Sequence, residues 1–314
     1  MEENVTSEMP MKPPAAWWGW LRRNPVALKE LRGRMRGARA FIVLTVYVLL
    51  MSAFTVVLYG IYTISAQVTL STTGGVIGKV IFGGVLSIEL FLVCFIAPAF
   101  TASAISGERE RRTYHLLRTT LLSADNLIWG KLLAALGYIV LLLVVAIPLQ
   151  SLAFLMGGVT MTEVLLSIEI LVVTAVTYGA IGIYFSATMQ KTLTASVLTY
   201  VIALILTIAL PLLTFVMLSF VSVLLLSSSG SGQIAEYLLF AVFALLACSN
   251  PIATAILSEV VLQQNGSAFY FTQTFPNGWS VPLPSPWIAY TVIYLLVALI
   301  LMRLSVVAVR RVDQ

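Results

Sequence analysis

Between Ile105 and Arg118 the chain carries Glu108, Arg109, Glu110, Arg111 and Arg112 in consecutive positions, then His115 and Arg118, and long apolar runs lie on both sides. In a chain that is 60% hydrophobic and 10% charged, such a block cannot lie in hydrocarbon. One ionised side chain at the bilayer centre costs about 2.5–3.5 kcal/mol even on a lenient scale. The block is therefore a water-side segment joining two membrane spans. Its charge density reads as a docking surface: alternating acids and arginines offer charge-assisted hydrogen bonds to a partner. Glu108 and Arg112, at i and i+4, are also spaced to pair along one helix face. On charge alone, a merely solvated loop fits equally well.

A mean hydropathy of +0.99 places the chain in the polytopic membrane class. At about 20 residues per span, 314 residues allow six spans and their connections, with no separate soluble domain. The formal charge of +5 does not point to nucleic acid, because the positive residues flank spans, where they orient a membrane protein. Cys94 and Cys248 lie far apart in apolar runs and read as buried thiols rather than a disulfide or metal pair. Residues 1–23 are expected to form a flexible N-terminus without the pattern of a signal peptide.

Asn24-Pro25 has the form of a helix start. Lys29, Arg32, Arg36 and Arg39 recur beyond it at helical spacing, with Leu28, Leu31 and Met35 on another face. With Trp17, Trp18 and Trp20 upstream, residues 24–40 fit a helix lying in the headgroup layer. The six-span domain, 41–314, follows. Spans are expected at about 41–66, 80–106, 132–156, 163–189, 193–226 and 287–309, with 67–78 a polar external loop. Pro148 and Pro211 interrupt spans three and five. Residues 234–262, centred on Asn250-Pro251, hold apolar stretches too short for a crossing and suit a re-entrant external helix pair, and 263–286 reads as an external loop. Apart from Lys79, every lysine and arginine falls in the N-terminal segment, the 107–131 region, the Lys191 turn or the end of span six. The positive-inside rule then puts both termini and the charged block in the cytosol. The fold class is all-α, polytopic, with six transmembrane helices.

No nucleotide-hydrolysing motif is expected here. Gly74-Gly-Val-Ile-Gly-Lys79 is one residue short of a phosphate loop, and Val80 replaces its Ser or Thr. His115 is the only histidine, so neither a histidine-based metal site nor a Ser-His triad is available; no catalytic or metal residue is assigned. Two carboxylates lie within spans: Glu89, near the middle of span two, and Glu169 in span four. An intramembrane carboxylate is a functional candidate by default. Glu89 either faces a pathway and meets cations, or stays protonated against a neighbouring hydroxyl. Glu163 and Glu259 read as external, solvated or interfacial.

The run from Ile105 through Gly107-Glu-Arg-Glu110 to Leu116-Leu117 and Ser123, followed by Gly130-Lys131, resembles the ABC-2 family of ATP-binding-cassette transporter permeases. Asn24-Pro25-Val26 and Lys29-Glu30-Leu31-Arg32 resemble that family's approach to its first span. Arg112, His115 and Leu121 depart from the pattern, standing where Gly, an acid and Pro are common. The resemblance implies a type V-like exporter permease working as a dimer, with a second copy or a related permease, in the cell's plasma (inner) membrane. It implies a coupling helix over 107–122, with Glu108, Arg109, Glu110, Arg111, Arg112 and His115 docking a cytosolic ATPase. That partner would hold the ATP and magnesium, and this chain no cofactor; spans two and five would line the pathway. The rival reading is a stand-alone proton- or ion-coupled carrier, or a membrane scaffold, using Glu89 and Glu169.

Overall fold

The computed structural model describes residues 25–35, 38–69, 74–113, 124–227, 242–274 and 280–311. Helix α1 (Pro25–Met35) precedes α2 (Ala38–Thr69) and α3 (Gly74–Thr101); the short α4 (Ser106–Glu110) follows. Then come α5 (Ala124–Leu155), α6 (Met161–Thr188), α7 (Thr192–Leu204), a π-helical segment (Ile205–Ala209) and α8 (Leu210–Ser227). Helix α9 (Pro251–Asn265), strands β1 (Tyr270–Thr274) and β2 (Ser280–Pro284), and α10 (Pro286–Arg311) complete the described chain. Six helices are long and apolar enough to cross a bilayer: α2, α3, α5, α6, the α7–α8 unit and α10. The fold is the expected all-α polytopic one.

Helix α6 is the hub, packing against α3, α5, α7 and α10. Of its most apolar stretch 61% is buried, against 17% for α2 and for span five, so those two spans form the rim. The core between α3, α5 and α6 includes Leu90, Cys94, Tyr138, Leu142, Leu171 and Tyr178. In hydrocarbon, helices gain little from burying apolar groups and associate by close packing instead. Gly182 shows this, since a Cβ there would collide with Thr101 of α3.

Three local features differ from the expected pattern. The segment 67–78 is not a continuous loop: α2 runs to Thr69 and α3 begins at Gly74. Its glycines face the Gly157–Gly158 turn, and a Cβ at Gly78 would strike the Gly157 and Ala153 carbonyl oxygens. Gly157 and Gly158 both adopt positive φ, at 85° and 84°, which glycine reaches without steric cost. Glycine composition suggests a loop, but here it serves backbone-to-backbone contact. The expected loop 263–286 contains an antiparallel hairpin pairing Tyr270 with Pro284 and Thr274 with Ser280. Pro282 and Pro284 are tolerated because the strand has one paired edge. Glu163, expected to be external and either solvated or interfacial, is only 5% exposed. It completes a capping box with Thr160 at the start of α6.

Within the charged block, helix geometry ends at Glu110 and Arg112 turns to φ 57°. Residues 114–122 of the expected coupling helix, His115 among them, lie outside the described residues. Of the segment 234–262, expected to be a re-entrant pair, residues 242–247 are helical and α9 spans Pro251–Asn265, while 234–241 lie outside the described residues.

Candidate functional site

The charged block lies where α3 ends, against the start of α5, the end of α6 and the start of α7. The backbone N–H groups of Ile105 and Ser106 both donate to the Ser186 hydroxyl near the end of α6, at 2.8 and 3.1 Å. The first side chains of the block then point inward. Glu108 Oε1 accepts from Lys131 Nζ at 2.7 Å, and Glu30 Oε1 of α1 accepts from the same ammonium at 2.6 Å. The Lys131 side chain is 2% exposed and the two glutamates 22% and 25%. One nearly buried cation therefore joins the N-terminal helix, the charged block and the base of span three.

Glu110 makes the second tie. Its carboxylate accepts from the Thr192 backbone N–H at 2.9 Å and the Thr192 hydroxyl at 2.8 Å. Thr192 opens α7, whose preceding residue Lys191 supplies no side-chain cap. Glu110 thus caps span five from a distant part of the chain, at a helix end whose dipole favours an anion. These hydrogen bonds hold its carboxyl below the usual carboxylate range, with Lys191 adding to the effect. Arg109 makes the third tie, donating from Nη1 to the Met189 carbonyl after α6 at 3.2 Å.

Glu108, Arg109 and Glu110 are thus engaged within the chain, Glu110 at the exposed surface, where Arg111 and Arg112 follow it, exposed as well. An open cleft of about 790 Å³ lies beside them, reaching from Glu30 and Gly33 of α1 to Thr192 and Ser196 of α7. Through Lys131, Ser186, Met189 and Thr192 the block is tied to α1 and to the ends of spans three, four and five. Lys131 was visible in sequence only as half of a Gly-Lys pair. Its partners lie 23 and 101 residues away, so only packing brings them together.

The intramembrane acids sit elsewhere. Glu89 of α3 is fully buried, accepting from Gln150 Nε2 of α5 at 2.6 Å and from the Tyr47 hydroxyl of α2 at 3.3 Å. Its two oxygens are occupied within the chain, linking spans one, two and three. Glu169 of α6 accepts from the Thr291 hydroxyl of α10, while its Oε2 is buried without a hydrogen-bond partner.

Asn250 is a residue whose role spacing alone did not show. Its side chain caps α9, accepting from Ala253 N at 2.9 Å. It also donates to the Leu206 and Thr207 carbonyls in the π-helical segment, at 2.9 and 3.1 Å. Pro211 has no N–H. In α register it would have served Thr207, four residues back, and in π register Leu206, five back. Asn250 replaces the missing donor in both registers.

A family model described as "ABC-2 family transporter protein" matches residues 24–313. No curated protein matches the chain. The match covers all six spans, the charged block and the Lys131 node. The chain belongs to the ABC-2 transporter family and is a membrane-spanning permease component of an ATP-binding-cassette transporter.

Proposed function

We propose that this chain is the transmembrane subunit of an ATP-driven exporter, paired with a second permease and powered by separate cytosolic ATPase subunits that dock on the charged block. The observation that carries the reading is the wiring of the block. Its first residues bind the bases of spans three, four and five, and its next two present guanidinium groups to water. A partner pressing on Arg111 and Arg112 would move several span ends together. A solvated loop needs no such ties.

The basic clusters orient the block and both termini toward the cytosol by the positive-inside rule. Lys79, the exception, has acidic neighbours at the opposite end: Glu163 at 3.4 Å and Glu259 at 3.7 Å. The tip at Asn250 meets span five about 15 residues from its start, roughly 22 Å along the helix. That depth suits a re-entrant pair entering from the external side. The exposed apolar faces of α2 and α7 suit lipid and a second permease. The stand-alone carrier has less support, because Glu89 gives its oxygens to Tyr47 and Gln150.

The test is charge reversal of the two exposed arginines. Arg111→Glu with Arg112→Glu is expected to leave the folded permease in the membrane with unchanged thermal stability. Co-purifying ATPase should fall at least about tenfold, since rim charges set encounter and partner choice. Full retention of the ATPase would remove the docking role.

A further inference from the structure

At the end of the bundle away from the charged block, a cleft of about 140 Å³ opens between α3, α6 and α9. Its mouth carries Lys79, Glu163 and Glu259, and its wall is apolar, with Phe82, Leu86, Ile170 and Ile256. Two carboxylates face one ammonium there, so the mouth has a surplus of one negative charge when all three are ionised. Glu163 Oε2 is engaged by Thr160 N at 2.7 Å, and Glu259 Oε1 by Gln263 Nε2 at 2.6 Å. Desolvation, and then the neighbouring Glu163, raise the Glu259 carboxyl above its ordinary value. A second cation at the mouth would relieve that repulsion.

The wall adds an independent sign. Ser258 lines the cleft at 4% exposure, and its hydroxyl has no hydrogen-bond partner. Ser87 and Ser167, which also line it, donate to carbonyls of their own helices at 2.7 Å each. An unmet buried hydroxyl costs about 1–3 kcal/mol, so Ser258 is positioned for a group that enters the cleft. The volume is well below the roughly 300–1,000 Å³ of sites for drug-sized ligands. It admits one thin chain, whose remainder would pass the exposed Ile256 and Val260 into lipid.

We propose that this cleft binds a single-chain amphiphile with a cationic head, its ammonium between Glu163 and Glu259, its polar neck at Ser258 and its tail along Phe82, Leu86 and Ile170. The proposal does not rest on ATP coupling, so binding is measured without nucleotide or ATPase, and the docking account can fail separately.

The test uses the full chain in nanodiscs and an alkylamine carrying a diazirine in its tail. After illumination, labelled peptides from α3, α6 or α9 are expected, protected by dodecylamine at least about tenfold better than by dodecanoate or butylamine. Glu259→Gln should weaken protection about fivefold. Gly83 lines the cleft and a Cβ there meets open space, so Gly83→Phe should fill it and abolish labelling in a folded protein. Equal protection by dodecanoate would overturn the cationic head, and equal protection by butylamine the tail. Labelling unchanged in Gly83→Phe would overturn the site.

Discussion

Lys131→Met is expected to lower the unfolding temperature of the solubilised permease by about 5–10 °C. The side chain is almost wholly enclosed and its ammonium bonds two carboxylates. Removing one partner from a buried charge cluster costs about 3–5 kcal/mol, because the remaining charges lose compensation while staying poorly hydrated. In a domain of this size, 1 kcal/mol corresponds to roughly 2–4 °C or slightly less. Here the loss is compounded, since Glu30 and Glu108 would face each other with nothing between them. The triple variant Lys131→Met, Glu30→Gln, Glu108→Gln removes the surplus charge and should recover most of the stability. Tryptophan-monitored melting checks both. A single variant as stable as the parent, or a triple variant no better than the single, would show that the node does not hold α1, α4 and α5 together.

The second large effect is expected at Asn250. In Asn250→Asp the remaining carboxylate still accepts from Ala253 N and keeps the cap of α9. It cannot donate, and it sets a negative charge against the Leu206 and Thr207 carbonyls. Each unmet buried acceptor costs about 1–3 kcal/mol, so a loss of roughly 2–5 kcal/mol follows. Pro211→Ala supplies the missing N–H and should rescue part of that loss, while having a smaller effect in the parent chain. Melting curves of the four proteins form a double-mutant cycle. Independent, additive effects at the two positions would contradict the compensation between Asn250 and Pro211.

Much of the architecture was legible because hydrophobic run length and charge placement are local properties. Spans one to six lie close to their expected positions, and Pro211 and Asn250-Pro251 both stood out as interruptions. That they answer one another did not, because the bond joins positions 43 and 44 residues apart. The same limit applies to the charged block. Sequence shows that Glu108 and Glu110 must leave the hydrocarbon, but not whether they face a partner or their own chain. Packing ties Glu108 to the nearly buried Lys131 and Glu110, itself exposed, to Thr192, and leaves Arg111 and Arg112 exposed beside them. Lys79, which broke the charge rule, became intelligible once Glu163 and Glu259 were beside it. Glycine was misleading for a physical reason: the same residue permits a loop or a close helix contact, and only the neighbour decides which.

Contact between the exposed arginines and a separate ATPase, as proposed, is read out by a photo-cross-linking residue at position 111 in the full chain, in its own membrane. The same residue at position 266, exposed at the opposite end of the bundle, serves as control. Position 111 is expected to capture one cytosolic nucleotide-hydrolysing chain, and position 266 none. A permease that drives transport while position 111 captures no such chain would contradict the proposed contact.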